Sequence, residues 1–297
     1  MDKTQEIMQK VRRIELQARK LTTATLSGQY RASFRGQGLE FDDFREYQPG
    51  DDPRFIDWKV TARTGAPYVR RFHEEREQVL LLAVDVSASM RYASSATTNS
   101  KLEYAALIAA VLAYSAARNG DNVGLLLYGC HPHFYLPPAK GMKQCLRIIR
   151  EIISAEHGEE DVSIEEVAAE ILRTQRKRTM CFLISDLLAP PDKQAIGKLN
   201  YKHELIPLRI TDPMETALPE NVGTVCLQDP ESGQAFHVNM NSTAVRKAYH
   251  KAMKAHRSEW DTLFAQLGIT MKDLQTNTDF IPALRALFTQ RSSHFAR

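Results

Sequence analysis

Twice in this chain a short, nearly all-apolar run ends on an aspartate. Residues 79–84 read VLLLAV and meet Asp85; residues 179–185 read TMCFLIS and meet Asp186. Apolar runs of this length without polar alternation are strands buried on both faces, as in a parallel sheet covered by helices. The intervening segments agree. KLEYAALIAAVLAYSAAR (101–118) has helical spacing and is followed by the breaker N-G-D. VGLLLYG (123–129) is a further strand, and residues 143–153 and 163–173 carry helical periodicity. HFYLP (133–137) is expected to pair back antiparallel. A short helix near 192–199 precedes the strand HELIPLRI (203–210), and TVCLQ (224–228) with AFHVN (235–239) is expected to finish the sheet as a hairpin. The alternation predicts an α/β fold, a mostly parallel sheet with helices on both faces.

Around this core, expected over residues 77–240, three other regions differ in texture. Residues 1–27 form a basic amphipathic helix, with Ile7, Val11, Ile14, Ala18 and Leu21 on one packing face. Residues 28–76 are dense in Gly, Pro, Asp and Arg, which predicts frequent turns joined by short strands. This preface is too poor in apolar residues for a core of its own and is expected to pack on the main domain. Its Glu40, Asp42, Asp43, Asp51, Asp52 and Asp57 read against Arg45, Arg54, Lys59 and Arg63 as a docking network of ion pairs, with Trp58 as a packing anchor. Residues 241–297 return to helix: 242–267, capped by Asn241 or Ser242 and ended by Gly268, then 270–275 and 280–290.

The net charge of +3 hides a layout of about +5 at each end and −7 between. Basic ends of this kind are read as solvated helix faces, with peripheral contact to a membrane surface as the alternative and nucleic acid not favoured. Four cysteines lack any C-x-x-C pairing, and Cys181 lies in a strand, where a buried free thiol is usual. The opening MDKTQEIMQKVRR has no apolar core of signal type, so the expected location is cytoplasmic. C-H-P-H (130–133) is too small a donor set for zinc without a second cluster. No Walker-type loop, complete dinucleotide fingerprint, G-x-S-x-G or H-E-x-x-H occurs. Any energy input must come from another protein.

The chemistry is expected at the strand ends, because ligands of open α/β sheets bind beyond the carboxyl edge. Asp85 is followed by Ser87 and Ser89, and Asp186 is preceded by Ser185. One or two carboxylates with two hydroxyls suit a hard divalent ion, which takes about six oxygens and keeps some waters. On spacing alone, the same residues read first as turn formers and a cap for the helix following Met90, and only second as a metal site.

D-V-S-A-S-M (85–90) resembles the D-x-S-x-S element of von Willebrand factor A domains, and L-I-S-D-L (183–187) the later strand-end aspartate of that family. RGQGLEFDDFREYQPGDDPRFIDWKVTART (35–64) resembles the signature of an uncharacterised bacterial family that joins such a preface to an A-like domain and is often encoded beside MoxR-type AAA+ ATPases. The resemblance implies a von Willebrand A-like fold. It also implies a metal-ion-dependent adhesion site holding Mg²⁺ or Mn²⁺, with Asp85, Ser87 and Ser89 as ligands and Asp186 as ligand or second-layer carboxylate. The wider family pattern includes a threonine on a middle loop. Here that loop reads GEEDVSIEEVAAE (158–170), and Ser163 is the candidate substitute. The polar stretch 91–101 is read as a flap over the site or a plain loop. The implied function is a non-enzymatic adaptor that docks an acidic side chain of a protein partner, a MoxR-type ATPase or its client. The alternative is a Mg²⁺- or Mn²⁺-dependent phosphoester hydrolase using the same carboxylates.

Overall fold

The computed structural model describes residues 3–22, 30, 39–74, 78–94, 99–129, 133–156, 162–216, 218, 222–228 and 234–295. The chain divides into two compact units: Phe34–Gln78, and Met1–Ser33 together with Val79–Arg297.

In the smaller unit, strands β1 (Leu39–Glu46) and β2 (Tyr68–Glu74) pair antiparallel, with a register shift between Phe41 and Asp43. A single helical turn at Pro53–Phe55 is capped by Asp52, and the helix Trp58–Thr64 by Asp57, whose carboxylate accepts from the N–H groups of Lys59 and Val60. Gly65, at φ 78°, ends that helix in the left-handed conformation a side chain would resist. The expected charge pairs form locally. Arg45 grips Asp51 with two bonds of 2.6 and 2.7 Å, and Arg54 grips Asp52. Trp58 is not the packing anchor expected: it is 69% exposed. The side chains of Glu40 and Asp42 lie outside the described residues.

The larger unit is built on six strands: β3 (Val79–Asp85), β4 (Asn122–Tyr128), β5 (Phe134–Ala139), β6 (Met180–Ser185), β7 (Glu204–Thr211) and β10 (Lys272–Gln275). Their order across the sheet is β10-β7-β6-β3-β4-β5, parallel except for β5, which pairs antiparallel with β4 at one edge. With these six strands renumbered in chain order and read from the β5 edge, the order is the doubly wound 3-2-1-4-5-6, which reverses between β3 and β6. Side chains alternate across the sheet. Leu81 and Ala83 of β3 and Cys181 and Leu183 of β6 join a core with the helices Ile164–Thr174, Lys193–Lys202 and Thr243–Gln266. Leu80, Leu82 and Val84 take the opposite face. The helices Lys101–Arg118 and Met142–Ser154 meet β3 and β4 without contributing to that cluster. Helix Lys101–Arg118 is buried along nearly its whole length, because helices Lys3–Leu21 and Met142–Ser154 both cover it. Val11, Ile14 and Ala18 form the buried side of the first helix, while Lys10 and Arg13 both reach Glu103.

Two expectations fail. The hairpin of β8 (Thr224–Gln228) and β9 (Ala235–Asn239) does not finish the sheet; it is a separate two-stranded sheet. The sixth strand is Lys272–Gln275, inside the stretch 270–275 expected as helix. Its only deeply buried side chain is Leu274, so it is an edge strand specified by backbone pairing to β7 and carries no apolar run. Cys181 is the buried free thiol expected, its pKa pushed up by burial to about 12. Cys130 and most of C-H-P-H lie outside the described residues, as do positions 95–98 of the 91–101 stretch. Among the described residues, no helix is long and apolar enough to cross a membrane.

Candidate functional site

Strand register brings the two aspartates together. Val84 pairs with Ile184, so the next positions, Asp85 and Ser185, are neighbours on one face at the point where the sheet order reverses. Ser185 Oγ donates to Asp85 Oδ2 at 2.7 Å and accepts the N–H of Leu187. The other oxygen, Asp85 Oδ1, accepts the N–H of Ser87 at 2.9 Å and so bends the chain back over the strand end. Ser89 lies in the short turn Ala88–Arg91, and its Oγ is 3.1 Å from Ser87 Oγ. Ser89 donates to Asp186 Oδ2 at 2.8 Å. Its one proton is thereby used, so Ser87 is the donor within the serine pair.

Asp186, one residue beyond Ser185, turns to the side of helix Lys101–Arg118. There it meets Lys101, whose ammonium lies 2.7 Å from Asp186 Oδ2 and also pairs with Glu215. Glu215 in turn accepts the N–H of Asp212, a buried carboxylate just past β7 that accepts from Ser94 and Thr276. The polar network thus runs past the ends of three adjacent strands.

The two carboxylates differ in one respect. Asp186 has a cation at contact, whereas no basic side chain among the described residues pairs with Asp85, which is only 7% exposed. Burial, reinforced by the charge of Asp186 and opposed by bonds from Ser87 and Ser185, raises the Asp85 pKa to about 6. For Lys101, burial works to lower the pKa, but Asp186 and Glu215 outweigh it and the net shift is upward.

Gly129 closes the floor of the site. Its φ is +84°, and a Cβ there would stand 2.5 Å from the Ser87 nitrogen and 2.9 Å from Asp85 Oδ1. The far wall is the segment after Asp186. Leu187 adopts φ 55°, rare for a branched residue, and is held by His256 Nε2 on its carbonyl at 2.8 Å, while Trp260 Nε1 donates to the Ala189 carbonyl at 3.0 Å. Between floor and wall lies a cavity of about 620 Å³, reached by Asp85, Ser87 and Ser89 and bounded by Val162, Leu188 and Trp260. Ser163 is on its rim, but its oxygen caps helix Ile164–Thr174 by accepting from Glu166.

Among the described residues, no group of three or more His, Cys, Asp or Glu side chains is placed to hold a metal, so an ion here would rest largely on hydroxyls. The donor set accommodates one. Two oxygens in adjacent octahedral positions around Mg²⁺ stand about 3 Å apart, and Ser87 and Ser89 are at 3.1 Å. Beside them, Asp85 supplies an uncompensated negative charge. All four residues selected from the sequence therefore converge, with Ser185 between the aspartates. Lys101, Glu215 and Gly129 were not selected. A lysine opening an otherwise apolar helix, where the helix dipole disfavours a cation, was the available signal for the first.

Strand order and site together define a doubly wound α/β protein with a polar cluster at its switch point. The chain belongs to the family described as "Protein of unknown function DUF58", whose model matches residues 43–259. It is 31% identical over 274 residues to the uncharacterized protein Rv1480 of Mycobacterium tuberculosis, covering 91% of this chain and 85% of the relative. Similar solved structures include BatB from Bacteroides thetaiotaomicron, at 15% identity and TM-score 0.46, covering 73% of this chain and 99% of that one. A von Willebrand factor type A protein from Catenulispora acidiphila matches at 14% identity and TM-score 0.35, over 76% of this chain and 44% of that one.

Proposed function

We propose that this protein is a non-enzymatic adaptor that holds Mg²⁺ or Mn²⁺ at Asp85, Ser87 and Ser89 and uses the ion to dock an acidic side chain of a protein partner. The observation that carries this reading is the buried Asp85 carboxylate without a cationic partner among the described residues, next to an Asp186 that has one. Burying an unpaired charge costs several kcal/mol, and a bound cation offsets that cost. When bound, the ion would supply a Lewis-acidic centre with open coordination positions. Asp85 gives the charge, and Ser87 and Ser89 give neutral oxygens. Asp186 orients Ser89 from behind. The apolar wall of Leu188 and Trp260 favours a partner whose acid is flanked by apolar side chains. Pairing with a MoxR-type AAA+ ATPase or its client, in protein or complex assembly, rests on the sequence resemblance.

The test is a Mn²⁺ titration by calorimetry at several pH values. Binding is expected at pH 7.5. Because a protonated Asp85 cannot ligate, affinity should fall by about tenfold per pH unit below the Asp85 pKa of about 6. Absence of binding at millimolar Mn²⁺ overturns the reading. Phosphoester turnover that disappears in an Asp85 variant would replace it with a hydrolase.

A further inference from the structure

Lys101 has a fully buried side chain at the first position of a helix, where neither solvent nor the helix dipole favours an ammonium. Its described contacts are two carboxylates, Asp186 and Glu215. Those contacts hold Asp186 in place: one of its oxygens takes both Lys101 and Ser89, and the other takes the Leu188 N–H. A direct bond from the shared oxygen to an ion at Ser87 and Ser89 would compete with Lys101.

We propose that Lys101 is a positioning residue that keeps Asp186 turned away from the ion, so that a coordination position stays open to the acid of a partner. This deepens the ion-binding reading and rests on it. With Lys101 shared between Asp186 and Glu215, Asp186 is held on the lysine side, and the position it would fill on the ion is left to a partner. Without Lys101, Asp186 swings to the ion. The ion is then gripped more tightly, and one coordination position open to a partner is lost. Ion affinity and appetite for acids are therefore set against each other by one side chain.

The experiment measures Mn²⁺ affinity by calorimetry and the number of waters kept on Mn²⁺ by proton relaxation. Lys101→Met should bind Mn²⁺ about tenfold more tightly and keep fewer waters than wild type. Because that variant leaves two acids without their lysine, a second variant guards against misfolding. Lys101→Met combined with Asp186→Asn removes one positive and one negative charge together, and should match wild type within about threefold in affinity, with the same water count. Weaker or unchanged Mn²⁺ binding in folded Lys101→Met overturns the proposal. So does a loss of about tenfold or more in the double variant, which would make Asp186 a direct ligand. Failure of the wild type to bind Mn²⁺ removes the ion-binding reading and this proposal with it; normal wild-type binding with either variant result against expectation removes this proposal alone.

Discussion

Asp85→Asn should cost the protein more than about 100-fold in Mn²⁺ affinity and yet make the ion-free fold more stable. The first effect follows from removing the buried carboxylate that stands beside the two serines. The second follows from the raised pKa. An acid whose folded pKa of about 6 exceeds its unfolded value imposes a penalty that is fully present above pH 6 and relieved as pH falls toward 4. At about 1.4 kcal/mol per unit, the penalty at neutral pH is roughly 2–3 kcal/mol. Asparagine keeps an oxygen to accept from Ser87 and carries no charge. Denaturant unfolding in EDTA should therefore show the variant more stable than wild type at pH 7.5, with that margin reduced to about a third at pH 4.5. A destabilised variant at pH 7.5 would mean that Asp85 is already paired in the ion-free protein. Partner capture should be lost as well, without the excuse of a damaged fold.

Gly129→Ala should be the most damaging single-methyl change near the site. The added carbon would meet the Ser87 backbone at 2.5 Å and Asp85 Oδ1 at 2.9 Å, and the φ of +84° is strained for alanine before any clash. Backbone cannot swing away as a long side chain could. A loss of about 3 kcal/mol or more in unfolding free energy is expected, together with loss of Mn²⁺ binding. Gly65 offers the control. It also has positive φ, but nothing lies within 4 Å of its added carbon, so Gly65→Ala should cost only the conformational part, about 1 kcal/mol. Equal losses at both positions would show that packing against the Asp85 turn is not what Gly129 provides.

The central strands were legible because burial on both faces leaves them few polar residues: VLLLAV and TMCFLIS read as buried strands. Their terminal aspartates were legible for the same reason, as the first charges after an apolar run. Lys272–Gln275 was not, since an edge strand with one buried side chain has no pattern to read. The β8–β9 hairpin shows the complementary failure: strand propensity located the strands but could not say which sheet they would join. Lys101 was hidden for a third reason. In sequence it is an ordinary polar residue opening a helix, and its role exists only because Asp186, 85 residues later, folds against it.

The reversal of strand order between β3 and β6 has a consequence for biosynthesis. Asp85 and its serines are made about a hundred residues before Ser185 and Asp186. During translation at some 5–20 residues per second, the nascent polypeptide carries half a binding centre for several seconds. Chains stalled or cleaved before residue 180 lack Ser185 and Asp186 and cannot complete the cluster at the strand ends.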